Sequence, residues 1–150
     1  MKTVAYADLA SLAGQETGIS DWVVIDQDRI NKFADATGDH QWIHIDVERA
    51  AKELPGGKTI AHGYLTLSLI PMLAAQIMSI TGISRGINYG SNKVRFTAMV
   101  PVGSRVRGAQ KVLTVTPRAG GLEIVSQMTI EIEGQDRPAC VAETISLVFK

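Results

Sequence analysis

Between Leu122 and Ile132 the side chains alternate strictly. Leu122, Ile124, Ser126, Met128, Ile130 and Ile132 share one face, whereas Glu123, Gln127, Glu131 and Glu133 fall on the other with Val125 and Thr129. A period of two marks a strand with one buried face. Comparable stretches at 87 to 97, 104 to 117 and 138 to 149 predict three further strands, with turns at Pro101-Val102-Gly103, Gly120-Gly121 and Gly134-Gln135. Long strands joined by short turns predict an antiparallel sheet that needs an apolar partner.

The earlier half of the chain supplies that partner. A short strand at Trp22 to Ile25 leads into Asp26, a suitable N-cap, and Ile30, Phe33, Ala34 and Thr37 then recur at helical spacing until Gly38 stops the helix. A second helix is expected from Asp46, with Val47, Ala50 and Ala51 as its inner face, before Pro55-Gly56-Gly57 forces a turn. The third begins at His62-Gly63 and runs to about residue 80. It is apolar nearly all round, so it should be enclosed on most sides, with a kink or break where Pro71 lacks an N–H. Helices first and strands later predict one α+β domain over residues 1 to 150.

Fifteen basic and fifteen acidic side chains cancel. No Arg/Lys stripe exists to neutralise a phosphate backbone, so nucleic acid is not an expected partner. The apolar segment at 64 to 80 contains Pro71 and Gln76 and is shorter than the ~20 residues of a membrane span. At the N-terminus Asp8 interrupts the apolar run that a signal peptide needs, and the single Cys140 sits in an apolar strand without basic neighbours. Cytoplasmic residence is the expectation, with Cys140 a buried structural thiol.

Chemistry concentrates in TGDHQWIHID, residues 37 to 46, directly after the first helix stop. Asp39 and His44 are five apart, and a turn could aim both into one cleft, where a carboxylate can orient an imidazole that moves protons near neutral pH. Spacing alone equally allows Asp39 to cap a helix starting near His40 while His44 packs in the core. His40 and His44 also have a metal-ligand spacing, which Asp39, Asp46 and His62 might complete. The glutamate of H-E-x-x-H is missing, however, and no metal is expected. Downstream, Ala61-His62-Gly63 places free backbone N–H groups at a helix start, where they could accept negative charge.

Taken together, GDHQWIHID at 38 to 46 and IAHGYLTLSL at 60 to 69 resemble the MaoC-like dehydratases, or (R)-specific enoyl-CoA hydratases. Ala34, Thr37, Gly38, Asp39, Ile43, His44 and Asp46 fit the first family motif and Ala61, His62 and Gly63 the second. Gln41-Trp42 departs from the usual Asn-Pro. With INYGSNKVRF at 87 to 96, it looks like the branch related to nodulation protein N and bacterial 3-hydroxyacyl-thioester dehydratases.

The resemblance implies a hot-dog fold, an antiparallel sheet wrapped around a long central helix, assembled as a homodimer or higher homo-oligomer. It implies reversible hydration of trans-2-enoyl thioesters of CoA or acyl-carrier protein to (R)-3-hydroxyacyl thioesters, without cofactor. Asp39 and His44 would be catalytic and the Gly63 N–H would hold the thioester oxygen. Gln41 and Asn88 are candidate substrate contacts, with loop-fastening and strand or bulge roles as their alternatives. Arg85, Lys93 and Arg95 could meet substrate phosphates or remain solvated. A hot-dog thioesterase, or an acyl-thioester binding protein without activity, are the competing readings. The thioesterase usually needs a carboxylate on the central helix, and residues 64 to 80 have none.

Overall fold

The computed structural model describes residues 1–150. The four expected long strands are present as β5 (Arg85–Phe96), β6 (Arg105–Arg118), β7 (Gly121–Ile132) and β8 (Cys140–Phe149), all antiparallel to their neighbours. The sheet order is β2-β6-β7-β8-β5, with the short strands β2 (Glu16–Ile19) and β3 (Val23–Val24) sharing the outer edge of β6. Along β7 the inner row Ile124, Ser126, Met128, Ile130 and Ile132 is buried, while in the other row Gln127 is exposed, Glu123, Thr129 and Glu131 are half-buried and Val125 is buried as well.

Helix α1 (Gln27–Thr37) starts where Asp26 Oδ1 accepts the Arg29 N–H at 2.8 Å. It ends at Gly38, whose φ of 79° is a left-handed conformation that glycine adopts without Cβ strain. A four-residue helix, α2 (Trp42–Ile45), follows, close to where the alternative reading of the loop started a helix near His40, but with Gln41 at its N-cap. Helix α3 (Val47–Glu53) is capped by Asp46 as expected, but only Ala50 of the predicted inner face is buried. Val47 and Ala51 lie exposed, because the helix touches the body along a single narrow line.

The central helix also differs from expectation. It comprises α4 (Gly63–Ser68) and α5 (Ile70–Ile77), divided at Leu69 just before Pro71, where the missing N–H interrupts the ladder. Residues Met78–Thr81 are strand β4, not helix, and pair in parallel with β1 (Lys2–Ala5). Nor is the helix enclosed: Leu65, Leu69, Ile70, Leu73 and Ile77 face the sheet, while Tyr64 is 68% exposed. The arrangement is the hot-dog fold, a sheet curved around one helix. No helix is long and apolar enough to cross a membrane.

The core forms two clusters. The larger gathers α1, α4 and α5 with Val106, Met128, Ile130, Cys140 and Ala142, and the smaller joins Val4, Leu9 and Leu12 to Val112, Ile124 and Val148. Cys140 is fully buried, and burial pushes its thiol pKa up to about 11, in keeping with a structural thiol.

Candidate active site

Gly38 turns the chain out of α1 so that Asp39 stands at the mouth of a loop whose far end, α2, carries His44 inward. The Gln27 amide on α1 holds that inner end by donating to the His44 carbonyl at 2.7 Å, and the Thr59 hydroxyl bonds the same amide. Asp46 then caps α3 through the Arg49 N–H at 3.0 Å, and the Arg49 guanidinium lies 3.9 Å over the Trp42 ring. Trp42 is therefore a packing residue that clamps α3 to the loop.

His44 is 7% exposed, and its Nδ1 lies 2.6 Å from the Ile60 carbonyl oxygen. A carbonyl only accepts, so Nδ1 carries the hydrogen and Nε2 keeps its lone pair. Burial holds the His44 pKa below the ordinary histidine value. The Ile60 carbonyl and the Asp39 charge pull it up, and neighbouring His62 adds to the lowering. The imidazole is thus neutral near pH 7, with a free nitrogen that can take a proton.

His62, at the N-cap of α4, stacks on His44 with ring centroids 3.8 Å apart and planes 23° apart. Its Nε2–H donates to the Asp39 carbonyl at 3.0 Å, fixing the loop from below. The Asp39 carboxylate receives only the Gln41 N–H, at 3.4 Å, so it does not cap a helix near His40. One side-chain ligand atom each from Asp39, His44 and His62 lie within 4.8 Å of one another, a span that one water bridges with ordinary hydrogen bonds.

The part of His62 in this cluster exceeds what the sequence indicated. His40, by contrast, is exposed and bonded to Asp35 at 2.9 Å, outside the cluster. The three clustered groups are poor metal ligands as they stand. Ring lone pairs lie in the ring planes, and two nearly parallel stacked rings do not converge on one ion.

Gly63 occupies the first position of α4, where its N–H has no intrahelical acceptor. A Cβ there would meet the Phe96 ring at 2.9 Å, so this close approach requires glycine. Gln41 is exposed at the N-cap of α2. Asn88 lies away from the loop, in the wall of a cavity of about 770 Å³ between the central helix and β5 to β8. That wall does not include Asp39, His44 or Gly63; it begins at Leu67, one helical turn (~6 Å) past Gly63. Tyr89 is the unpaired residue of a β-bulge flanked by Asn88 and Gly90, which matches the bulge alternative for that segment. Arg85 stacks on Phe149 and Lys93 reaches Glu143 at 3.7 Å.

The MaoC like domain family matches residues 8–131. The 3-hydroxyacyl-thioester dehydratase Z of Mycobacterium tuberculosis is 54% identical over 140 residues, covering 93% of this chain and 92% of that protein. Nodulation protein N of Rhizobium leguminosarum bv. viciae is 46% identical over 151 residues, covering 99% and 93%. Among solved structures, an (R)-hydratase from A. caviae involved in PHA biosynthesis superposes with a TM-score of 0.71 at 23% identity, covering 89% of this chain and 94% of that one. At such identity it speaks to the fold alone. The family match over most of the chain, and relatives aligned nearly end to end, establish that the protein belongs to the MaoC-like dehydratase family.

Proposed function

We propose that this protein is a hydro-lyase that reversibly adds water across the double bond of a trans-2-enoyl thioester, carried on CoA or acyl-carrier protein, to give the (R)-3-hydroxyacyl thioester. The observation that carries the reading is the single-water spacing between the Asp39 carboxylate and the imidazole of a buried, neutral His44, whose Nδ1 is committed to the Ile60 carbonyl. Asp39 and His44 hold the water. As its oxygen bonds C3, His44 Nε2 takes a proton, the double-bond electrons move toward the thioester, and the oxygen that gains charge is met by the Gly63 N–H. A proton then returns to C2. Gln41, next to Asp39 on the exposed loop, is a water or substrate contact, and Asn88 lines the path of the acyl chain.

The chain acts in this reading as a single cytoplasmic domain in a homodimer. Strand β5 supports the dimer, since it pairs only with β8, leaves its other edge open and has eleven of its twelve residues exposed. Ile87, Tyr89 and Phe96 stand out on it as exposed apolar groups. A long open edge with apolar side chains is normally covered, and edge-to-edge pairing of two copies does so symmetrically. The thioesterase alternative finds no support, because the central helix, α4 with α5, carries no Asp or Glu.

The test is loss of the conjugated-enoyl absorbance on adding enzyme to enoyl-CoA substrates. Asp39→Asn and His44→Ala should each lower kcat/KM by about 10²–10⁴-fold. Wild-type rates in both variants, or free thiol release without hydration, would overturn the assignment.

A further inference from the structure

The concave face of the sheet carries a polar band where a plain hydrocarbon pocket needs none. Each of the three inner strands interrupts its apolar row, and the interruptions run diagonally across the sheet: Gln110 on β6 opposite Met128, Ser126 on β7 opposite Thr144 on β8, and Ser146 on β8 opposite Ile124. Ser126 stands opposite Thr144, and Thr144 opposite Ser91, so the band continues across the sheet to β5. It lies between the two core clusters. Met128, Ile130 and Ala142 belong to the larger on one side, and Val112, Ile124 and Val148 to the smaller on the other. The cavity of about 770 Å³ opens over this band, within the range of small-molecule sites.

The band presents hydrogen-bond donors. Gln110 is 9% and Ser126 5% exposed. The Thr17 hydroxyl donates to Gln110 Oε1 at 2.9 Å, which fixes the amide and turns its NH₂ toward Ser126. That group has one partner, Ser126 Oγ, at 3.5 Å, the outer limit of a hydrogen bond. The Ser126 hydroxyl hydrogen has no acceptor in the chain. Leaving donors under-used in a buried site is costly unless an acceptor arrives.

Position along the helix gives the ligand's shape. Gly108 lies against Leu73, and Gly18, opposite Gln110, lies against Ile77. The band is therefore about 15–20 Å from Gly63 along the helix axis. We propose that it is a specificity subsite for acyl chains bearing an oxygen, a hydroxyl or ketone, toward their far end, with Gln110 Nε2 and Ser126 Oγ donating to that oxygen. The proposal rests on the hydratase reading for which end of the ligand lies at Gly63.

Saturated acyl-CoAs from octanoyl to hexadecanoyl, each compared with its ω-hydroxy counterpart, test it by titration calorimetry without turnover. At the chain length that brings the oxygen to the band, the ω-hydroxy ligand should bind about tenfold tighter, the equivalent of one or two net hydrogen bonds. Gln110→Met and Ser126→Ala should each reduce that preference. In Gln110→Met the Thr17 hydroxyl keeps the backbone carbonyl of residue 110, now at 3.3 Å, and thermal unfolding verifies the fold. Equal affinities at every length, or a preference untouched in both variants, would overturn the subsite and leave water as the occupant of the band. Hydration of unsubstituted enoyl-CoAs is measured separately. Preference without hydration removes the hydratase reading and keeps the subsite; hydration without preference does the reverse.

Discussion

His44 and His62 form a stacked pair in which each ring commits one nitrogen to a backbone carbonyl, Ile60 for the first and Asp39 for the second. The Nδ1 of His62 is buried with no partner, a cost that His62 sustains while anchoring the carbonyl of the proposed catalytic Asp39. His62 is thus a positioning residue. His62→Phe keeps a ring against His44 and Phe33 but loses the anchor, and kcat should fall by about tenfold to 10²-fold through misplacement of Asp39. The same variant removes a like-charged neighbour from His44, so the acid limb of the pH–rate profile should move upward. A purely structural role for His62 would leave that limb in place. In the wild type the base form of His44 is needed, so activity should persist below pH 6.5, the ordinary histidine value, and fall only as the pH drops through the lowered His44 pKa. Stability follows the same sign. The His44 contribution is complete above the unfolded-state value and is lost as pH falls through the folded one.

At the scale of elements, the helix termini and long strands were legible because their signals are local. Asp26 and Asp46 cap through their own neighbours, Gly38 adopts a left-handed turn, and the inner row of β7 reads off a period of two. Strands β1, β2 and β4 were not legible. Each is four residues long, and their pairing partners lie far away in sequence: β4 for β1 and β6 for β2. The tail of the central helix became β4 for the same reason, since β1 offers residues 78–81 a partner that no local propensity reveals. Hairpin packing provides a sharp test. A Cβ on Gly121 would stand 2.8 Å from the Phe149 ring and would also run into the Val148 carbonyl oxygen, a backbone atom with little freedom to yield. Gly121→Ala should cost about 1–3 kcal/mol, measured by chemical denaturation; unchanged stability would show that the hairpin is looser than its register implies.

For the molecule as a whole, the proposed homodimer rests on the open edge of β5. Ile87→Asp places a charge on the exposed apolar edge, and sedimentation velocity should show a monomer where the wild type is a dimer. A monomeric wild type would remove the homodimer from the proposed function. The sequence by itself determined the fold class, the four long strands and the capped α1, and made Asp39 and His44 a candidate pair in the segment at 37 to 46, because side-chain period and motif spacing are properties of neighbouring residues. It could not determine that His62 would stack on His44 while His40 turned away to Asp35, nor that Gln27 would hold the loop from α1. Those contacts join residues 16 or more positions apart, or choose between histidines of identical chemistry. The polar band is of the same kind. Gln110, Ser126 and Thr144 are unremarkable in three separate strands, and only the register of the sheet brings them beneath one cavity, Ser126 opposite Thr144 and Gln110 diagonally adjacent, opposite Met128. Tertiary structure decides what is adjacent across the fold, and adjacency is what converts residue types into a site.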